Sequence, residues 1–191
     1  MKPIVLASTS PRRKEILAIS GLQFTTAPSD YEEDMSLNLK PTDLAKHLSQ
    51  GKAQAIIKDH PNHIIIGADT FVALDNELLG KPKTTEKAVE MLNKINGQVV
   101  SVITGFTIID TSSNQQSSKA VVTKVFINNL TSQEIINYTN SREPLDKAGA
   151  FAIQGLGALI VKKIEGDYFN VMGLPLFDLA QELKKYGVII L

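Results

Sequence analysis

The run Ser8-Thr9-Ser10-Pro11-Arg12-Arg13 sets two arginines in the first turn of a helix, directly after a short polar turn. A helix N-terminus already carries partial positive charge from unpaired N–H groups and aligned peptide dipoles, so cations there cost roughly a few tenths of a kcal/mol. An anion resting between the guanidinium groups and the backbone donors would reverse that sign. Strand, polar turn and helix start form a general anion cradle. Ser8, Ser10, Arg12 and Arg13 would add donors to it, and arginine grips phosphate bidentately. A capped helix with two solvated arginines would show the same letters, so both readings stand on this segment alone.

Four other places carry charge where a cleft is expected. Steps of four from Leu44 through Leu48 reach Lys52, which puts it on the inward stripe of a helix opening at Pro41. A lysine there either snorkels outward or projects its ammonium into a cleft. Asp69 follows Ile64-Ile65-Ile66-Gly67-Ala68, at the expected end of a buried strand. Carboxylates at strand ends of open α/β sheets face the ligand crevice, and an aspartate is rarely buried unpaired. Asp30, Glu32, Glu33 and Asp34 crowd four carboxylates into five residues. They form a solvated loop or a source of Mg²⁺ or Mn²⁺ ligands, because such ions take oxygen donors and bridge to phosphates.

Gly80-Lys81-Pro82 adds a cation after a strand, but it is no P-loop: Asp75 stands where the upstream glycine is required and proline follows the lysine. Arg12, Arg13, Lys52 and Lys81, with one or two carboxylates, suit a polyphosphate and a divalent metal. The chemistry implied is phosphoryl or nucleotidyl transfer, in which positioning and charge neutralisation supply most of the rate.

These residues need elements to position them. Ile4 to Ala7 reads as a buried first strand; Ser10 is the N-cap and Pro11 the first residue of a helix stopped by Gly21. Phe24 to Ala27 reads as a second strand, and Pro41 opens a helix to about Lys58. The run His63 to Asp75 reads as a strand, a kink at Gly67 to Thr70, and a second strand turning at Asp75-Asn76. Thr85 to Ile95 is a helix, two apolar runs flanking Thr111 to Ser118 form a long hairpin, and Thr131 to Glu134 fits a capping box. Gly157 to Ile164 reads as a strand, Gly166-Asp167 as a turn, and Leu174 to about Tyr186 as the closing helix. Alternating helices and strands followed by a long hairpin predict an α/β or α+β fold with a mixed, twisted sheet, in one domain over residues 1–191.

Composition removes several classes of function. Twenty basic and twenty acidic residues among 191 leave no net field to draw nucleic acid or a membrane. Aromatics at 6% are too few for a base-stacking platform. No cysteine is present, so disulfides and thiolate-held metals are out, which fits a reducing cytosol and a cytoplasmic protein. No apolar segment approaches the roughly 20 residues that span a bilayer. Gly155-Leu156-Gly157 lacks the third glycine of a dinucleotide fingerprint, and the histidines show no metalloprotease spacing.

The segments Leu6 to Leu17, Gly67 to Val72, Gly80 to Pro82 and Glu143 to Leu176 resemble the successive motifs of the Maf family. These are nucleoside triphosphate pyrophosphatases once described as septum-formation inhibitors. The resemblance runs from Ile4 to about Leu183. It implies two lobes around a central cleft on an elongated mixed sheet, similar to inosine-triphosphate pyrophosphatases. It also implies hydrolysis of a nucleoside triphosphate to monophosphate and pyrophosphate with a divalent cation, Mg²⁺ or Mn²⁺. Carried over by motif, Asp69 is the catalytic base or metal-organising carboxylate and Glu33, or its neighbour Glu32, the second metal ligand. Ser8, Arg12, Arg13, Lys52 and Lys81 hold the phosphates.

The branch acting on dTTP and UTP is similar to this chain at Arg12, Thr70 and Gln154. The branch acting on 7-methyl-GTP carries an aromatic residue, Gln and Glu at those places. Gln154 offers an amide donor and a carbonyl acceptor that could read a uracil O4/N3–H edge; it could equally satisfy loop backbone beside Gly155. The resemblance thus implies a dTTP/UTP pyrophosphatase, with house-cleaning of modified pyrimidine nucleotides as a role. Its alternative is a nucleotide-sensing regulator of septum formation without hydrolysis. Monomer and homodimer both remain open.

Overall fold

In the computed structural model, which describes residues 2–75 and 77–191, the first strand β1 runs Ile4–Ala7 and is buried throughout. β2 (Phe24–Ala27) and β3 (Ile64–Leu74) flank it, both parallel, with Ile4 opposite Phe24 on one side and Ile64 on the other. Parallel strands need crossovers, supplied by α1 (Pro11–Ala18) and α2 (Pro41–Gln54). β4 (Glu77–Leu79) pairs antiparallel with β3, and β5 (Val99–Asp110), β6 (Gln115–Ile127) and β7 (Val161–Glu165) complete the sheet in the order β2-β1-β3-β5-β6-β7. β7 runs antiparallel to β6, with a register shift at Phe126/Ile127. The sheet is therefore mixed, as the alternation of elements implies.

Several boundaries differ from the sequence expectation. β3 has no kink: eleven residues run through Gly67 to Thr70 as one strand. The glycine serves close approach instead, because a Cβ on Gly67 would fall 2.3 Å from the Ser49 carbonyl oxygen of α2. Helix α2 ends at Gln54 and a 3₁₀ turn, Ile57–Asp59, takes up the rest of the expected span. The run expected as one strand from Gly157 divides into a 3₁₀ turn, Gly155–Leu159, and β7. The closing helix is shorter than expected: after the short α5 (Tyr168–Met172), α6 spans Leu176–Leu183, followed by a 3₁₀ turn at Lys184–Tyr186. The turn expected at Asp75-Asn76 rests on Asn76, which lies outside the described residues. The Thr131 capping box forms in full: Glu134 N donates to Thr131 Oγ1 and Thr131 N donates to Glu134 Oε2.

The chain divides into two compact units. One holds the residues up to Asp69, Thr104–Val121 and Met172–Leu191; the other holds Thr70–Ile103 and Val122–Val171. The first unit packs Val5, Ala7, Ile65 and Ile109 against Ala53 and Ile56. Here Gly105, like Gly67, leaves room for α2: a Cβ on it would stand 2.0 Å from the Ala45 carbonyl oxygen. The second unit packs α3 (Thr85–Ile95) and α4 (Ser132–Asn140) on Val72, Val100 and Val125, with Tyr138 and Phe151 in the same core.

Among the described residues, the first unit buries three carboxylates, Asp69, Asp110 and Glu182. Glu182 on α6 is 1% exposed and pairs with Lys119 at 2.8 Å and Lys185 at 2.7 Å. Burial alone would raise its carboxyl; hydrogen bonds from Lys119, Lys185 and Ser117 more than offset that and hold it down to about 2. The unfolded carboxyl protonates near 4.5, so the ionised pair stabilises the native state fully above that pH. The gain is then lost as pH falls toward 2. Urea melts of the wild type should show stability dropping between pH 4.5 and 2, and Glu182→Gln should flatten that limb. Gly105→Ala should cost about 1–3 kcal/mol at any pH, because backbone rather than a flexible side chain must yield.

Candidate active site

Helix α2 lies so close over Gly67 that Ala53 N would stand 2.8 Å from a Cβ there. Asp69, two residues further along β3, therefore points to the same face as Gly67, toward the end of α2 that carries Lys52. The Lys52 ammonium donates to Asp69 Oδ1 and pairs with Glu33 Oε1 at 2.7 Å. Side-chain exposures of 13% for Lys52 and 8% for Asp69 rule out the snorkelling account of this lysine. The sequence expectation of Asp69 at a strand end is corrected: it sits inside β3, and it is buried with a charged partner.

Glu33 reaches this point from an exposed acidic loop. Its neighbours Asp30, Glu32 and Asp34 are exposed. Asp34 is turned away, accepting from Ser36 Oγ at 2.6 Å and Ser36 N at 2.9 Å. Those bonds lower its carboxyl below the ordinary range. Of the two glutamates left open by the sequence, Glu33 is the one paired with Lys52.

The turn after β1 brings Arg13 into the same electrostatic field. Arg13 Nε donates to the Gly173 carbonyl at 2.9 Å and Nη1 to Ser8 Oγ at 3.4 Å. Burial lowers the guanidinium, and the charges of Asp69 and Glu33 oppose that shift. Ser8 is itself buried, and its hydroxyl accepts from Ser10 N at 3.2 Å. Ser10 holds the N-cap position of α1, as expected, but its side chain makes no cap bond; its backbone N–H goes to the Ser8 hydroxyl. Arg12 stands half-buried beside Arg13 in the first turn. Gly173 gave no sequence signal of its own. Its φ of 115° is a conformation that favours glycine, and it aims a carbonyl at Arg13.

The structure thus brings Ser8, Arg13, Glu33, Lys52 and Asp69 together within the first unit. Thr70, Lys81 and Gln154 belong to the second unit. Thr70 is half-buried in β3, and Lys81 is exposed beyond β4. Gln154 is exposed just before the 3₁₀ turn Gly155–Leu159. The backbone of that turn is satisfied by Glu143, which accepts from Leu156 N at 3.0 Å and Gly157 N at 2.9 Å. Tyr138 Oη donates to the same carboxylate at 3.0 Å. Loop satisfaction is therefore the work of Glu143, and the Gln154 amide is not needed for it.

Among the described residues, no cluster of three or more His, Cys, Asp or Glu could hold a metal. Glu33 and Asp69 do converge on one cationic point, the Lys52 ammonium. Two carboxylates suit a hard divalent ion that keeps several waters and completes its shell with substrate phosphates. Among the described residues, no helix is long and apolar enough to cross a membrane.

Comparison with known proteins adds the following. The family model described as Maf-like protein matches residues 3–186. A dTTP/UTP pyrophosphatase of Methanosarcina mazei is 48% identical over 189 residues, covering 98% of this chain and 96% of that protein. A dTTP/UTP pyrophosphatase of a Geobacillus species is 45% identical over 187 residues, 98% of this chain and all of that protein. A HAM1 protein from Coxiella burnetii matches with a TM-score of 0.47 at 14% identity, over 97% of this chain and 100% of that one. That structural likeness is too distant to carry an argument.

Removing the shared cation should expose how the cluster is held. Lys52→Met should destabilise the protein by up to about 3 kcal/mol, since a buried charge loses its partner. Adding Asp69→Asn should restore part of that loss. Chemical denaturation of both variants measures it.

Proposed function

The chain belongs to the Maf-like protein family, and from that premise we propose that it is a dTTP/UTP pyrophosphatase. It hydrolyses the nucleoside triphosphate to monophosphate and pyrophosphate. The observation that carries the reading is the buried Asp69 carboxylate, held by Lys52 beside Glu33 and within the field of Arg13.

Asp69 orients a water and takes up its proton as the water oxygen bonds to the α-phosphorus. The bond from that phosphorus to the bridging oxygen breaks, and pyrophosphate leaves with the electron pair. A fixed carboxylate base of this kind gains most of its effect from positioning. Ser8, Arg12 and Arg13 hold phosphate oxygens: Arg13 is already oriented by Gly173 and Ser8, so little freedom is left to lose on binding. Lys52 offers its ammonium to the leaving pyrophosphate, and the family resemblance makes Lys81 a further phosphate-binding residue in this reading.

The charge balance argues for a divalent cation, Mg²⁺ or Mn²⁺, held by Glu33 and Asp69. Two cations, Arg13 and Lys52, stand against two carboxylates, so this cluster by itself has no surplus positive charge for a triphosphate. A bound divalent ion supplies charge neutralisation at the phosphates. With Glu33 and Asp69 engaged in this way, Lys52 would be free to offer its ammonium to the substrate phosphates.

Gln154, free of loop duty, can present its amide to the O4 and N3–H of a uracil or thymine base. Arg12 and Thr70 accompany it as specificity residues. The role suggested is removal of pyrimidine triphosphates, modified ones included, in the cytoplasm.

Pyrophosphate release from a panel of triphosphates, with Mg²⁺ or Mn²⁺ present, tests the reading. Turnover should favour dTTP and UTP. Ligand-dependent thermal shifts without any product would instead make this a sensor. Asp69→Asn should lower kcat by about 10³-fold or more while the protein still folds and melts cooperatively, Lys52 keeping Glu33 as its partner. Gln154→Glu should lower kcat/KM for dTTP and UTP by about tenfold or more, since a carboxylate cannot donate to O4. Equal specificity constants in the two proteins would remove Gln154 from base reading.

A further inference from the structure

The segment that delivers Glu33 has no regular structure from Pro28 to Asp34. It also carries four carboxylates that repel one another, and the Glu33 side chain is 44% exposed. A loop of that composition has no reason of its own to hold one carboxylate against Lys52. Two contacts with α2 supply the reason. Ser29 Oγ donates to the Lys52 carbonyl at 3.2 Å. The Tyr31 ring lies directly on Gly51: a Cβ there would fall 2.2 Å from Tyr31 Cζ and 2.3 Å from Cε2. The Tyr31 hydroxyl meets His47 Nε2 at 3.3 Å, one helical turn before Gly51 on the same face.

Gly51 is not needed for its backbone. It sits inside α2, outside the set of glycines with positive φ. Glycine in a helix interior is less stable than alanine, so its presence is explained by what the missing methyl admits, which is the ring. With Ser29 docked on the Lys52 carbonyl and Tyr31 seated on Gly51, Glu33 follows two residues later and lands on the Lys52 ammonium.

We propose that Tyr31 is a positioning residue for the reaction: its ring, seated on the bare backbone at Gly51, holds Glu33 against Lys52 and so completes the cluster around Asp69. This rests on the reading of Glu33 and Asp69 as the carboxylates of a pyrophosphatase. Tyr31 touches no reacting atom. It acts only through Glu33.

Kinetics and crystallography test this separately. Tyr31→Ala and Glu33→Ala should each lower kcat/KM for dTTP by a similar factor, about tenfold or more, and the double variant should lose no more than Glu33→Ala alone. Tyr31→Phe keeps the ring and should stay within about twofold of the wild type. Gly51→Ala evicts the ring while improving the helix, so activity should fall with the melting temperature unchanged or higher. Losses that multiply in the double variant, or full turnover in Tyr31→Ala, overturn the proposal.

In a crystal structure of Tyr31→Ala, Glu33 Oε1 should lie beyond about 4 Å from Lys52 Nζ; an intact ion pair there overturns the proposal whatever the protein hydrolyses. A wild type inert toward dTTP and UTP, or a fully active Glu33→Ala, would sink the functional reading instead. The crystallographic distance then decides the role of Tyr31 alone.

Discussion

Lys52 Nζ stands between Asp69 and Glu33, and the two carboxylates depend on it for their counter-charge. Asp69 is 5% exposed, where an ionised carboxylate without a partner costs several kcal/mol. The partner can reach it only because α2 lies against the strand backbone itself, at a spacing that Gly67 and Gly105 permit. Two hydrogen atoms in place of two side chains thus decide where the ammonium ends up. Ser49 reinforces the seat, its hydroxyl bonded to Thr107 Oγ1 at 2.9 Å on the neighbouring strand. The path from sequence to site runs through these close approaches more than through the apolar stripe of α2.

The same arrangement sets the electrostatics. Arg13 is drawn into the field of Asp69 and Glu33, and its direction is fixed by the Gly173 carbonyl and the Ser8 hydroxyl. Burial works against the guanidinium charge and the carboxylates work for it, so neither sign can be removed without cost to the other. A cluster of two cations and two anions is stable as it stands. It is also poised, since any further anion brought to it calls for a further cation.

Much of this was legible in the chain. The polar turn after Ala7, Arg13 in the first turn of α1, Lys52 on the inward side of α2, and the Thr131 capping box fall where spacing and residue type place them, whereas Asp69 lies inside β3 and not at its end. The misreadings share one cause. Gly67 reads as a kink and the Gly157 run as a strand because local propensity cannot tell a break from a close contact. A Cβ on Gly157 would stand 2.3 Å from the Ala152 carbonyl oxygen, again a tertiary contact. Gly173 and Glu143 gave no signal because their roles are hydrogen bonds to residues 160 and 13 positions away in sequence.

Why a resting cluster should be neutral follows from the reading as a pyrophosphatase. A site holding only cations would attract anions of any kind and destabilise the folded chain by self-repulsion. Pairing Lys52 with Asp69 and Glu33 keeps the unliganded site folded and quiet. The same pairing keeps the two acids aimed at one point, where a divalent ion arriving with a triphosphate would find its oxygen ligands already converged. Specificity for a metal-bound polyphosphate over a free anion would then need no separate device. It would be contained in the requirement that the charge drawn from Lys52 be replaced before its ammonium could serve the phosphates.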